Sequence, residues 1–273
     1  MLVFAAYSGL ICAAHIELGV RVLGIPFLAI GTLGTAVAIM LGFKNNSAYG
    51  RWSDARQTWG GIVSVSRNFG SMVGAYISDP EARQGLVRRQ IAVVHALMGH
   101  LRRQDVGDEL ERLLRPEDRE RVAGARNVPV QLIHRQAEHL RQALGNGNEG
   151  SFFLMATIKD MYTLAGRAEG IKNTPLLRHY SYFTSLFVKV FVYLLPFGFV
   201  ADLGWLTIPL HVVVATMFYM LDGVGALTED PFENNFNDVP MSTLCRTIEI
   251  DLREQMGEVE LPPALEPVDK VLM

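Results

Sequence analysis

One segment of this chain passes from an apolar sequence into a polar one without a residue that would end a helix. Residues 31–43 are almost entirely apolar, and residues 44–67 carry lysine, asparagine, arginine and aspartate, with no proline in either part. Proline is the strongest helix breaker, so the pattern predicts one continuous helix. A helix that leaves lipid and continues against protein in water indicates an ion path that extends beyond the membrane.

The composition fits a chain with a membrane part and a water-facing part. Hydrophobic residues make up 49% of the 273 residues, whereas charged residues make up only 19%. The formal net charge of -3 is uninformative about nucleic acid, but no basic cluster contains interleaved aromatic residues, so we expect no nucleic-acid partner. Cys12 and Cys245 lie in unrelated segments, so they predict neither a disulfide framework nor a metal site.

Four apolar segments could enter a bilayer, where a spanning helix needs about 20 residues. They cover about residues 2–15, 23–43, 182–200 and 205–227, and the first is short. The short connections carry a single basic residue, Arg21, which places the large middle portion in the cytoplasm of a multi-pass inner-membrane protein. The predicted division is residues 1–43 (two membrane helices with a pore neck), 44–177 (cytosolic helices), 178–228 (two membrane helices) and 229–273 (acidic loop, last cytosolic helix and tail).

Three side chains of the second span share one helix face. Thr35, Ile39 and Phe43 are spaced four residues apart. Around a shared axis they would form stacked rings, a constriction that closes by losing its water. The alternative is helix–helix packing helped by nearby glycines, which the spacing alone favours.

The ionisable residues within the spans could have several roles. Lys189 lies in the middle of the third span and could face a pore, reach toward the membrane surface or pair with Asp222. His211 and Asp222 lie on roughly one face of the fourth span, which favours interhelical hydrogen bonds over a proton relay. The other histidines lack the spacing of a zinc site, and no nucleophile or phosphate-binding motif occurs. The sequence therefore predicts no catalytic residue, no metal site and no enzyme.

Eight motifs in one order resemble the bacterial branch of the bestrophin family of ion channels. The resemblance covers about residues 1–260 and is weakest over about 105–150. The motifs are LGFKNNSAYGRW (41–52), RQTWG (56–60), TP (174–175), LPF (195–197), DL (202–203), EDPF (229–232), NDVP (237–240) and CRTIE (245–249).

The resemblance implies an all-α membrane protein, with four transmembrane helices per subunit and a large cytosolic helical region, that forms a homopentamer around one central pore. By motif position, Thr35, Ile39 and Phe43 are expected to be the neck rings and Leu176 the cytosolic aperture. We add Arg178 as a positive ring near that aperture, and Asn45 and Asn46 as polar lining. Thr35 stands where bestrophins commonly have a larger apolar residue, so this neck is expected to wet more easily.

The loop after the fourth span offers oxygen ligands. Asp230, Asn235 and Asp238 lie at positions that resemble the calcium clasp of animal bestrophins, whereas Leu227 replaces an amide ligand. The loop lacks the order of an EF-hand, and its interpretation as a connector that caps the last helix is favoured. We expect no cofactor and leave calcium as an alternative.

The sign of the permeant ion stays open at this stage. An apolar neck has no fixed charge, and Arg178 slightly favours anions such as chloride. The alternatives are a monovalent cation (sodium) channel of the same fold and a membrane scaffold for a cytosolic partner. The expected partners are further copies of the chain, the lipid bilayer and small permeant ions.

Overall fold

The computed structural model describes residues 1–144, 150–176 and 178–267, and for Leu23 and Arg178 it describes the backbone only. Within these ranges the regular structure is helical and no strand forms, which confirms the all-α fold class. The helices are α1 (Leu2–Ile16), α2 (Phe27–Tyr76), α3 (Pro80–Arg102), α4 (Gly107–Leu113), α5 (Pro116–Val122), α6 (Val128–Leu144), α7 (Gly150–Asn173), α8 (Arg178–Leu203), α9 (Thr207–Thr228) and α10 (Met241–Gln255).

The continuous helix expected from the sequence is α2. It runs without interruption over 50 residues, which corresponds to a length of about 75 Å at the helical rise. The hydrocarbon core of a bilayer is only about 30 Å thick. One helix therefore has enough length to cross a membrane and continue well beyond it.

Two helical stretches are long and apolar enough to cross a membrane. They are Phe27–Tyr76 and His179–Thr228, and the second contains both α8 and α9. α1 is a shorter apolar helix of 15 residues. The tight connection expected between the last two spans is a short 3-10 turn that begins at Gly204, whose φ of 52° suits glycine. The number of spans stays a prediction.

The chain divides into two compact units. Unit 1 contains Met1–Arg51 and Pro175–Glu229, and unit 2 contains Trp52–Thr174 and Asp230–Met273. Unit 1 includes α2 as far as Arg51, beyond the membrane boundary expected after Phe43, and that membrane boundary stays a prediction. Unit 1 extends this far because Lys44, Asn45 and Arg51 all bond to α9 or its C-terminal end, and so belong with the apolar helices.

In unit 1, α8 packs against α9, and α1 packs against both. The first part of α2 joins them through an apolar core, to which it contributes Ile30, Val37 and Leu41 and α8 contributes Val188 and Leu195 among others. The helices α2 and α8 approach closely because a glycine lies at the contact. A Cβ atom on Gly34 would lie 2.8 Å from the Phe191 ring, so no larger residue fits without a shift.

In unit 2, α3 is the central helix, and it packs against α4, α6, α7 and α10. Its buried face includes Ile91, Val94, His95, Met98 and Leu101, and the recurrence of these positions at helical spacing is a pattern that predicts a helix. Asp79 caps its first turn by accepting hydrogen bonds from the backbone amides of Glu81 and Ala82. The sequence Gly-Asn-Gly-Asn-Glu-Gly at residues 145–150 predicts a break before α7, and its residues 145–149 lie outside the described residues.

Candidate pore-lining surface

The part of α2 that belongs to unit 1 has one packed face and one free face. The packed face repeats at intervals of three and four residues and is buried in the single subunit; it comprises Ile30, Gly34, Val37, Leu41, Lys44 and Ala48. Thr35, Ile39 and Phe43 lie on the opposite side of the helix and are exposed. Packing within one subunit therefore does not explain this stripe.

The free face is mainly apolar with one hydroxyl group. Ile39 is 56% exposed and Phe43 is 63% exposed, although both are large apolar side chains. The Thr35 hydroxyl donates its hydrogen bond to the Gly31 carbonyl oxygen at 3.0 Å. Because the proton is directed to the backbone, the oxygen can only accept from other groups. Copies of this stripe around an axis would make a narrow path that binds ions weakly.

The two consecutive asparagines have different surroundings. The Asn45 side-chain amide donates to the Leu221 carbonyl oxygen on α9 at 3.0 Å, and Asn45 is half-buried. Asn46 is exposed on the same side of α2 as Phe43. Asn45 thus fixes α2 to α9 in this structure, and of the pair only Asn46 continues the free stripe. Its role as pore lining stays a prediction.

A buried ion pair lies on the packed face of the same helix. The Lys44 side chain is 1% exposed, and its ammonium group lies 2.6 Å from Asp222 Oδ1 on α9. The Ser185 hydroxyl donates to the same oxygen at 3.0 Å. The sequence reasoning missed this role for Lys44. The signal was its place in the three- and four-residue repeat of buried positions, four residues before Ala48.

The other ionisable residues of the spans have different surroundings. Asp222 pairs with Lys44, whereas Lys189 is exposed on α8. His211 is buried, and its Nε2 atom lies 3.1 Å from the Val192 carbonyl oxygen. This contact agrees with the interhelical hydrogen bond favoured over a proton relay.

The Arg51-Trp52 pair holds the segment that follows α9. Within unit 1, Arg51 Nε donates to the Glu229 carbonyl oxygen at 2.7 Å. Within unit 2, Trp52 Nε1 donates to the Asn237 carbonyl oxygen at 2.8 Å. Both acceptors are backbone atoms in motifs that resemble the bestrophin family. These motifs therefore meet each other in the fold and fix the path of the chain.

The acidic loop bonds to its own backbone and does not cap the last helix as expected, because the N-cap residue of α10, Pro240, makes no side-chain cap hydrogen bond. Asp238 is buried, and its Oδ2 atom accepts a hydrogen bond from the Asn235 backbone amide at 2.9 Å. Burial raises the pKa of Asp238, and the backbone amides of the loop partly offset that rise. Leu227 offers no oxygen, and among the described residues no three His, Cys, Asp or Glu side chains converge as a metal site. Calcium binding at Asp230, Asn235 and Asp238 stays an untested alternative.

The expected cytosolic aperture lies partly outside the described atoms. Leu176 is half-buried in the segment that leads into α8. The side chain of Arg178 lies outside what the structure describes. The role of both residues stays a prediction.

A long helix with one free face, packed among apolar helices and joined to a second helical unit, defines an all-helical membrane protein. Comparison with known proteins identifies the family. The model of the family described as "Bacterial/Fungal Bestrophin protein" matches residues 1–254. This chain therefore belongs to the bestrophin family, which is a family of ion channels.

Individual relatives agree with this assignment. The chain is 31% identical to the voltage-dependent anion channel-forming protein YneE of Escherichia coli K12 over 256 residues, which are 93% of this chain and 83% of that protein. It is 32% identical to the voltage-dependent anion channel-forming protein mll4386 of Mesorhizobium japonicum, covering 98% of this chain and 86% of that protein. A crystal structure of a bacterial bestrophin homolog from Klebsiella pneumoniae superimposes with a TM-score of 0.88 at 25% identity, covering 95% of this chain and 98% of that chain.

Proposed function

We propose that this chain forms a homopentamer around one central pore and passes small monovalent ions passively, with anions, above all chloride, favoured. Unit 2 faces the cytoplasm in this proposal. The observation that carries it is the free stripe of Thr35, Ile39 and Phe43 on a helix whose opposite face is fully packed. A stripe of this kind needs partners, and a channel gives each residue a defined place around a water-filled axis.

Support for anions comes from relatives. Proteins 31% and 32% identical to this chain are named as voltage-dependent anion channel-forming proteins. The stripe itself carries no charge, so it sets no strong preference of its own. In this proposal, selectivity depends on how easily each ion gives up its water at Ile39 and Phe43.

One observation favours a sodium channel as the second candidate. The Thr35 hydroxyl donates to the Gly31 carbonyl oxygen, so a ring of these oxygens would present lone pairs to the axis. Lone pairs attract cations. The sign of the permeant ion therefore depends on whether Thr35 or the apolar rings dominate the barrier.

Reconstitution in a planar bilayer tests the proposal. In a sodium chloride gradient, an anion channel reverses near the chloride equilibrium potential and a sodium channel near the opposite value. We expect Ile39→Ala or Phe43→Ala to raise the single-channel conductance about twofold or more, because each widens an apolar constriction. We also expect current to persist when calcium is chelated.

Val213→Ala is the matched control. Val213 on α9 is 56% exposed, the same fraction as Ile39, but it lies on another helix. Its substitution should leave conductance unchanged. If the reconstituted protein carries no current and no tracer flux, it is a scaffold for a cytosolic partner. Equal effects of all three substitutions would show that the neck is wrongly placed.

A further inference from the structure

Unit 2 contains a small cavity lined by arginines. Its volume is about 240 Å³, and it is lined by Arg88, Ile91, Arg112, Leu113, Glu249 and Arg253. A second cavity of about 100 Å³ adjoins it and shares Arg88, Arg112 and Leu113. The arginines come from three different helices: Arg88 from α3, Arg112 from α4 and Arg253 from α10. The helical core of unit 2 therefore brings three guanidinium groups to one site.

Glu249 anchors two of these arginines. Its side chain is fully buried, and Arg112 donates to its two oxygens at 2.6 and 3.1 Å in a bidentate pair. Arg253 and Arg246 each place a nitrogen 3.4 Å from the same carboxylate. His95 Nε2 lies 3.7 Å away, too far for a hydrogen bond. One carboxylate thus holds several cationic side chains in fixed orientations.

The positive charge at this site exceeds the negative charge. Arg253 has a second acidic partner, because its Nε atom donates to Glu258 at 2.7 Å. Arg88 is exposed, and within the described part of the chain no salt bridge or hydrogen bond joins its side chain to another residue. Glu249 and Glu258 thus contact Arg112, Arg246 and Arg253, while Arg88 adds a fourth positive charge that neither carboxylate contacts.

Hydrogen-bond donors remain free as well. A guanidinium has five N–H donors. Arg112 directs bonds from two nitrogens to Glu249, and Arg253 directs its bonds to Glu249, Glu258 and the Glu260 carbonyl oxygen. Each retains further N–H groups, and Arg88 retains all of its own. Planar forks of this kind match the oxygens of a phosphoryl group.

We propose that this cavity binds a phosphoryl group, such as inorganic phosphate, pyrophosphate or the phosphate end of a nucleotide. Arg88, Arg112 and Arg253 contact the anion, and Glu249 holds Arg112 and Arg253 in place from beneath. The volume lies below the range of roughly 300–1,000 Å³ that drug-sized ligands occupy. A nucleotide would therefore place only its phosphates inside.

Stabilisation of the buried Glu249 is a simpler reason for some of these arginines. It accounts for Arg112, whose bidentate pair suffices to neutralise one carboxylate. It does not account for Arg88, which contacts no described carboxylate and adds like charge to a cavity that is already positive. Like charges in one cavity repel each other, and a bound dianion removes that repulsion.

Ligand binding to the purified full-length protein in detergent tests this site. Inorganic phosphate, pyrophosphate, ATP and adenosine are titrated by calorimetry in phosphate-free buffer, with sodium chloride keeping the ionic strength constant. We expect pyrophosphate and ATP to bind with similar affinity and adenosine not to bind. Arg88→Gln should weaken binding about tenfold, the effect of losing one charge-assisted contact.

Arg141→Gln is the matched control, because Arg141 is an exposed arginine of α6 that does not line the cavity. Its affinity for pyrophosphate should equal that of the unmodified protein. Three results would overturn the proposal: no phosphoryl compound binds, adenosine binds as well as ATP, or Arg88→Gln binds pyrophosphate unchanged. The proposal is equally wrong if Arg88→Gln instead loosens the oligomer while phosphate binding is absent, since a carboxylate of a neighbouring copy then fills the site.

Discussion

Lys44 shows how a single residue decides which face of a membrane helix is packed. A lysine ammonium group is expensive to bury, and the Asp222 carboxylate and the Ser185 hydroxyl compensate for that cost at 2.6 and 3.1 Å. The pair lies one turn from the Leu41 and Ala48 contacts of the same face. It therefore fixes the rotation of α2, and with it the direction in which Thr35, Ile39 and Phe43 point.

Removal of one member of the Lys44–Asp222 pair should lower the stability of the protein more than removal of both members. Asp222→Leu leaves the buried Lys44 charge without compensation, which we expect to cost about 3–5 kcal/mol. The double variant Lys44→Met/Asp222→Leu should recover most of that loss, because no buried charge remains. Thermal melting of the detergent-solubilised protein measures both.

Lys189→Met serves as the control, since Lys189 is an exposed lysine in the same unit. Its melting temperature should stay close to that of the unmodified protein. A double variant that is as unstable as the sum of the two single variants would show that the pair makes no coupled contribution.

At the scale of helices, the sequence predicted well which segments form helices. It predicted poorly which side chains bond to each other across those helices. α2 was predictable because no proline interrupts it, and α3 because Asp79-Pro80 is a strong start signal. The partner of Asp222 was not predictable, because the sequence suggested Lys189 of the neighbouring span, whereas the packing of α2 against α9 brings Lys44 to Asp222 from a distant part of the chain. The Arg51 and Trp52 bonds were hidden for a similar reason, since their acceptors are backbone carbonyls far along the chain.

The docking of α10 on α3 depends on a charge as well as on apolar packing. Ile248 and Leu252 are buried beside Glu249 in the core of unit 2. Burial raises the pKa of Glu249, but the neighbouring His95, Arg112 and Arg246 lower it by more, so the pKa lies well below its ordinary value of 4.5. The ionised form is therefore the one that the fold stabilises.

A carboxylate with a lowered pKa contributes stability above its ordinary pKa and loses that contribution as the pH falls. We expect Glu249→Gln to be about 3 kcal/mol less stable than the unmodified protein at pH 7, because Arg112 loses its charged partner. The difference should narrow as the pH is lowered from about 5 toward 3. Melting temperatures of both proteins over this pH range measure it, and a difference that stays constant with pH would contradict the role of the charge.

At the scale of the whole molecule, the single subunit leaves the stripe on α2 without neighbours. The homopentamer proposed above would cover it and bring five copies of Ile39 around one axis. The two native cysteines, Cys12 and Cys245, are buried, so a cysteine introduced on the stripe can be oxidised selectively. Ile39→Cys should then form disulfides between subunits on mild oxidation.

The odd number of subunits in the proposed pentamer gives this experiment a distinctive limit. A ring of five thiols can form at most two disulfides and must leave one thiol free, so cross-linked dimers should stop at about four in five chains. Val213→Cys, equally exposed but on α9, should not show this limit. Oxidation of Ile39→Cys to completion would indicate an even number of subunits around the axis, and no cross-linking in an intact oligomer would place the stripe away from it. The yield of cross-linked dimers depends on the number of subunits and on whether their stripes meet at one axis. One gel therefore measures the assembly and the location of the neck together.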